Sequence, residues 1–225
     1  MVQQVINLNG NTEAFFVEQR TTTLSLAVSL SDDFASGDDF ASRKRPIGKV
    51  NVSLEELRMS GIQNLSGYYF FMDVPPNTID RPFYTLSVTS DYYVDLQSQG
   101  TLPRPDPSVP ISITLTPVPT YPFPPGATLI KGVVTDLQQQ PISGASVTVV
   151  STGMVSQTTE KGEFVAYFTR LTEDDIIVVN NRRFVRGNGD QTMVLQATHP
   201  NFSNIQVQTE VEENQTTYVP ITMQP

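Results

Sequence analysis

The 225-residue sequence contains no cysteine, no tryptophan and a single histidine, His199. Without cysteine there is no disulfide to staple a small core and no thiol nucleophile. With one histidine, no Cys/His zinc site can be assembled. Positive charge is scarce: 14 Lys and Arg stand against 23 Asp and Glu, a formal net charge of −9. A nucleic-acid or anionic-membrane binder needs the opposite sign. Charged residues make up only 16% of the chain, against about 25% in an average globular domain. The hydrophobic share of 38% is enough to bury a core. No run approaches the roughly 20 apolar residues of a membrane-spanning helix. The segment Met1–Gly10 lacks the basic start and apolar run of a signal peptide. Sequons at Asn51, Asn64, Asn201 and Asn214, with a Lys-poor surface rich in Thr, Gln and Asn, lean towards an extracellular or cell-surface setting.

What the chain does contain is a copy of itself. Pro46-Ile-Gly-Lys-Val-Asn-Val-Ser-Leu54 aligns with Pro141-Ile-Ser-Gly-Ala-Ser-Val-Thr-Val149, and the same offset carries Ser66-Gly-Tyr-Tyr-Phe70 onto Lys161-Gly-Glu-Phe-Val165. Tyr84–Tyr93 then matches Met193–Phe202, and Val109–Ile113 matches Val219–Met223. Ser31-Asp32 pairs with Thr135-Asp136. Paired segments recurring in one order indicate a tandem duplication. The first copy carries an acidic insertion in which Asp32-Asp-Phe-Ala-Ser-Gly37 is followed by Asp38-Asp-Phe-Ala-Ser42. An insertion within Thr172–Asn188 of the second copy reads as a hairpin, with strands Ile176–Val179 and Arg182–Val185 around Asn180-Asn181. Between the copies, Pro117–Gly126 is so rich in proline that it reads as a polyproline-like spacer. Tyr121 and Phe123 within it favour partial packing.

Period-two alternation marks the strands. Leu24, Leu26, Val28 and Leu30 face one way, and Thr23, Ser25 and Ser29 the other. Val50–Leu54, Ser146–Val150, Tyr84–Val88, Val194–Ala197 and Ile205–Gln208 follow the same rule, and only Leu54–Arg58 reads as helical. The expectation is an all-β chain: a divergent sandwich over 1–117, a Pro-rich linker over 118–127 and a second sandwich over 128–225, joined in tandem.

The second copy reads Lys131-Gly-Val-Val-Thr-Asp136, Pro141-Ile-Ser-Gly-Ala-Ser-Val-Thr-Val149, Thr158-Thr-Glu-Lys-Gly-Glu-Phe164 and Leu195-Gln-Ala-Thr-His-Pro-Asn-Phe202. This resembles the carboxypeptidase regulatory-like domain, a transthyretin-like (prealbumin-like) Greek-key β-sandwich. The first copy resembles it more loosely. The resemblance implies a non-catalytic accessory module with no cofactor. Pilin-type sandwiches of related shape carry a Lys–Asn cross-link. Lys131 stands where such a lysine lies, but the last strand, Tyr218–Met223, has no Asn. An exposed structural lysine is the default there.

Candidate chemistry is thin. His199 lacks the partner motifs of a hydrolase triad, and His199-Pro200 reads as a turn. Asp32, Asp33, Asp38 and Asp39 offer hard oxygen ligands for Ca²⁺, without the spacing of an EF-hand; a solvated acidic loop is the simpler reading. Arg182, Arg183 and Arg186 lie on the inserted hairpin beside Glu173-Asp-Asp175, as a basic tip for an acidic partner or as a set of weak ion pairs. Tyr68, Tyr92 and Tyr93 are candidates for an exposed aromatic surface, whose ligand is a sugar or a protein. The leading expectation is a structural or interaction module of a surface or extracellular assembly. It engages a protein partner, or a second copy, through strand edges and inserted loops. A carbohydrate-binding accessory is the alternative, and a hydrolase or Ca²⁺-dependent protein the remoter one. Neither nucleic acid nor membrane insertion is expected.

Overall fold

The computed structural model describes residues 2–8, 11–17, 21–35 and 44–225. The described residues are all-β, with only two single-turn 3-10 segments, Glu55–Leu57 and Glu173–Asp175. The first of these is all that forms of the helix expected at Leu54–Arg58. An antiparallel hairpin, β1 (Val2–Leu8) and β2 (Asn11–Val17), precedes the first repeat.

The first repeat comprises β3 (Leu24–Asp32), β4 (Val50–Leu54), β5 (Met59–Ser60), β6 (Ile62–Gln63), β7 (Tyr69–Met72), β8 (Tyr84–Ser90), β9 (Leu96–Gly100) and β10 (Ile111–Leu115). In the second repeat, β11 (Thr128–Thr135), β12 (Ser146–Val149), β13 (Met154–Gln157) and β14 (Glu163–Phe168) come first. The inserted hairpin β15 (Ile176–Val179) and β16 (Arg182–Val185) follows, then β17 (Thr192–His199), β18 (Phe202–Glu210), β19 (Thr216–Tyr218) and β20 (Ile221–Thr222).

The duplication read from the sequence reappears as one strand order used twice. The first repeat gives sheets β10-β3-β7-β6 and β5-β4-β8-β9. The second gives β19-β11-β14, with β20 also on β11, and β13-β12-β17-β18. Each aligned landmark occupies the equivalent strand: Val50–Leu54 and Ser146–Val149 are β4 and β12, and Tyr84–Ser90 and Thr192–His199 are β8 and β17. In the inserted hairpin Ile176 pairs with Val185 and Val179 with Arg182, and Asn180 and Asn181 both adopt positive φ, as a two-residue turn requires.

Contacts group the chain into two compact units. One contains Met1–Leu30, Asn51–Val88 and Gln97–Ile113; the other contains Ser31–Val50, Thr89–Leu96 and Thr114–Pro225. In the first unit Leu26, Val28, Val52, Leu54, Phe71 and Leu86 are buried. In the second, alternate residues of the two sheets fill one core: Ile130 and Val134 from β11, Val147 and Val149 from β12, Phe164 and Ala166 from β14, Met193 and Leu195 from β17. This alternation is what a period-two pattern builds when each sheet buries one face. Gly132 marks the tightest approach in that core. A Cβ built there would lie 2.0 Å from the Val219 carbonyl oxygen and 2.6 Å from the Phe164 ring.

Candidate functional site

The second unit holds a feature the sequence did not announce. β14 is buried on both faces. Phe164, Ala166 and Phe168 face the core, while Val165 and Tyr167, on the opposite face, are buried as well. Aromatic rings provide the cover. Phe34 meets Tyr121, Phe123 and Tyr167 edge-on with centroids 5.8, 5.0 and 5.7 Å away, and Tyr121 packs on Phe123 at 4.7 Å and on Tyr93 at 5.7 Å. The connector supplies two of these rings and is itself tied down. Val118 N–H donates to the Tyr92 carbonyl at 3.0 Å, Tyr121 N–H donates to that of Val118 at 2.9 Å, and Pro117 bridges to Tyr93. Lys131 donates its Nζ to the Pro119 carbonyl at 3.2 Å and lies over the Phe123 ring. It is thus an anchor for the connector and not the freely exposed lysine expected, because the outer face of β11 is roofed.

Two carboxylates meet this cluster, Asp32 from within it and Asp33 from its exposed side. Asp32 is 0% exposed. Its Oδ2 accepts the hydroxyls of Tyr93 (2.8 Å) and Tyr121 (2.6 Å), and its Oδ1 accepts the Ala35 N–H at 3.1 Å. Asp33 accepts the Tyr167 hydroxyl. Burying a carboxylate is tolerable only when its lone pairs are answered in this way. Burial first, and then the carboxylate that each hydroxyl already serves, push the phenols of Tyr93, Tyr121 and Tyr167 well above the ordinary tyrosine value. The Ile47 N–H donating to Tyr93 Oη at 2.9 Å works in the other direction without reversing that shift. A tyrosine acting as a base near neutral pH needs the opposite displacement. Each of these phenols donates to a carboxyl oxygen that faces it, and no group is poised to react.

The other sequence-derived candidates are placed as follows. Among the acidic set, Asp32 and Asp33 have their oxygens engaged by tyrosines, and Asp38 and Asp39 lie outside the described residues. No group of three or more His, Asp or Glu capable of holding a metal ion is found among the described residues. Tyr93 does not belong to a surface: it is 2% exposed, because its ring closes over Asp32. Tyr92 packs against Gly48. Tyr68, in the first unit, stacks on Phe70 with centroids 6.4 Å apart. The three arginines are internally committed. Arg182 pairs with Glu212, Arg183 with Glu213 and Glu173, and Arg186 donates to the carbonyls of Asp174 and Ile176. Glu212 and Glu213 come from the turn after β18, which sequence adjacency to Glu173–Asp175 did not suggest. His199 ends β17 as a turn residue, its Nδ1 accepting the Asn201 N–H at 3.2 Å and its ring edge-on to Phe202.

The first unit has an apolar cleft of about 250 Å³, floored by Leu26, Leu54, Leu86 and Leu102. Its one charged lining residue, Arg104, donates to the Val109 carbonyl. No acid–base pair converges there.

No protein-family profile and no curated protein sequence matches the chain. Among solved structures it is similar to the Bacillus anthracis TIE protein (TM-score 0.31, 10% identity, 89% of this chain and 34% of that one). The chain thus spans about a third of that protein's length. A Streptococcal ancillary pilin gives a TM-score of 0.30 at 10% identity over 88% of this chain and 68% of the other. The shaft pilin spaA from Lactobacillus rhamnosus GG gives 0.29 at 11% identity, over 91% and 98%.

Proposed function

We propose that this chain is a non-catalytic structural module, two tandem transthyretin-like sandwiches over 1–117 and 128–225 with 118–127 as connector, acting in a surface or extracellular protein assembly. The observation that carries this reading is the use to which the reactive residue types are put. Asp32 is engaged by two tyrosine hydroxyls and a backbone N–H, Asp33 by one tyrosine hydroxyl, Arg182 and Arg183 by glutamates, and Lys131 by a backbone carbonyl. Groups that would perform acid–base work in an enzyme hold backbone segments here. A buried, fully answered polar cluster fixes one arrangement of the segments that feed it. Rigidity of that kind suits a building block. The sequons and the surface poor in Lys favour the exterior setting, and partners are met through strand edges and inserted loops.

The test is localisation joined to size. Antibodies raised against the purified chain should label intact cells of the source organism, and the antigen should co-fractionate with an assembly far larger than 24.9 kDa. Antigen found only inside the cell, as a free species of monomer size, would overturn the reading.

A further inference from the structure

The longest strand edge of the second unit is half tied and half open. β18 runs for nine residues at the edge of the sheet β13-β12-β17-β18. Which of its backbone groups point outward follows from one bond. Val150 N–H donates to the Val194 carbonyl, so Val194, Gln196 and Thr198 of β17 direct their peptide groups to β12. Met193, Leu195 and Ala197 then direct theirs to β18, where they face Thr209, Val207 and Ile205. The alternate residues Gln206, Gln208 and Glu210 therefore turn their peptide groups away from the sheet. A register shift lies between the Ala197–Ile205 and His199–Phe202 pairs. Beyond it, Ser203 N–H, also turned outward, donates to the Gln224 carbonyl at 2.7 Å. At the other end the Glu210 carbonyl accepts the Thr217 hydroxyl. Only the middle is open, and among the described residues no strand pairs with it.

The opposite edge of the same sheet is closed. Ser156 and Met154 of β13 receive the Val165 and Tyr167 N–H groups of β14 through their side chains. β18 lacks two of the usual guards of an exposed edge: Phe202-Ser-Asn-Ile-Gln-Val-Gln-Thr-Glu210 contains neither proline nor a basic residue.

We infer that the open middle of β18 pairs antiparallel with the β18 of a second copy of this chain, about a two-fold axis through Val207. This rests on the assembly reading above and names its edge and its partner. The segment is complementary to itself about that point. Gln206 of one copy comes opposite Gln208 of the other, so four outward peptide N–H and carbonyl groups per copy are satisfied reciprocally. The two exposed amide side chains face each other as well. On the core side Val207 meets its symmetry mate, and Ile205 meets Thr209. The one charge, Glu210, falls opposite Asn204, so no like charges are juxtaposed even though each copy carries −9.

The experiment is sedimentation equilibrium of the full chain at roughly 0.15 M salt, where repulsion between the acidic copies is screened over about 8 Å. The natural sequence should move from 24.9 kDa towards twice that mass as concentration rises from micromolar to near-millimolar. The double variant Gln206→Lys, Gln208→Lys should stay monomeric at every concentration with an unchanged Tm, since those side chains make no internal bond. A mixture of that variant with Gln206→Glu, Gln208→Glu should recover the dimer, because position 206 of one faces position 208 of the other. Persistence of the dimer in the lysine variant would overturn the edge assignment while leaving the assembly reading intact. A natural chain that remains at monomer mass throughout would overturn the self-pairing, and the cell-surface experiment judges the broader reading independently.

Discussion

β7 and β14 occupy the same place in the same strand order, yet they are treated differently. In β7, Tyr69 and Phe71 are buried while Phe70 is partly and Met72 openly exposed, the alternation of a sheet with one wet face. In β14 every residue after Glu163 is buried. Their sequences foreshadow little of this, since both are short apolar runs. What differs is what lies on the outer face: Phe34 and Phe123 cover Tyr167 in the second unit. One blueprint copied twice can thus acquire a second buried layer from segments outside it. The polar groups that come with that layer must then be paired in place.

Breaking the layer should have the largest effect. Asp32→Ala leaves the Tyr93 and Tyr121 hydroxyls buried without their acceptor; at about 1–3 kcal/mol for each unsatisfied group, a loss of roughly 2–6 kcal/mol is expected in chemical denaturation. Glu56, the exposed carboxylate that receives the Thr85 N–H and hydroxyl in the first unit, provides the contrast. Its replacement by Ala should cost at most about 1–1.5 kcal/mol, since water answers the vacated donors. A second comparison is at Gly132, whose counterpart by the repeat alignment is Val28. The first copy accommodates a branched side chain there; the second brings the Val219 carbonyl to the same place. Gly132→Ala should destabilise by about 1–3 kcal/mol through overpacking against backbone. Smallest is Arg183→Ala on the inserted hairpin, whose pairs with Glu213 and Glu173 are solvent-facing. The smallest change of the series is expected in chemical denaturation, shrinking further as salt is added.

The repeat, many of its strands and the inserted hairpin were legible because they are local. Period-two runs, the Asn180-Asn181 turn and the recurring Pro-led strand are each contained in a few residues. The first hairpin escaped, although Asn9-Gly10 between two β-rich runs is a strong turn signal. The aromatic and carboxylate cluster was not legible for another reason. Asp32 and Tyr121 are 89 residues apart, and Asp33 and Tyr167 are 134 apart. Nothing in an acidic run distinguishes the carboxylate that will be buried from its solvated neighbours. Alternation correctly placed half of each aromatic run inward, but not which half. Tyr93 went to the interior because the connector and Asp32 were there to receive it.

The central claim, that these tyrosines are locked structural donors, is tested most directly by following tyrosinate absorbance as pH is raised. Unperturbed tyrosines ionise near pH ~10. A phenol whose value is raised in the folded state contributes stability that is present below about pH 10 and is lost as pH rises through the folded value. Of the 8 tyrosines, Tyr93, Tyr121 and Tyr167 should remain neutral well above the ordinary range, ionising only as the fold is lost. Reversible ionisation of all of them near pH ~10, with circular dichroism unchanged, would contradict the account.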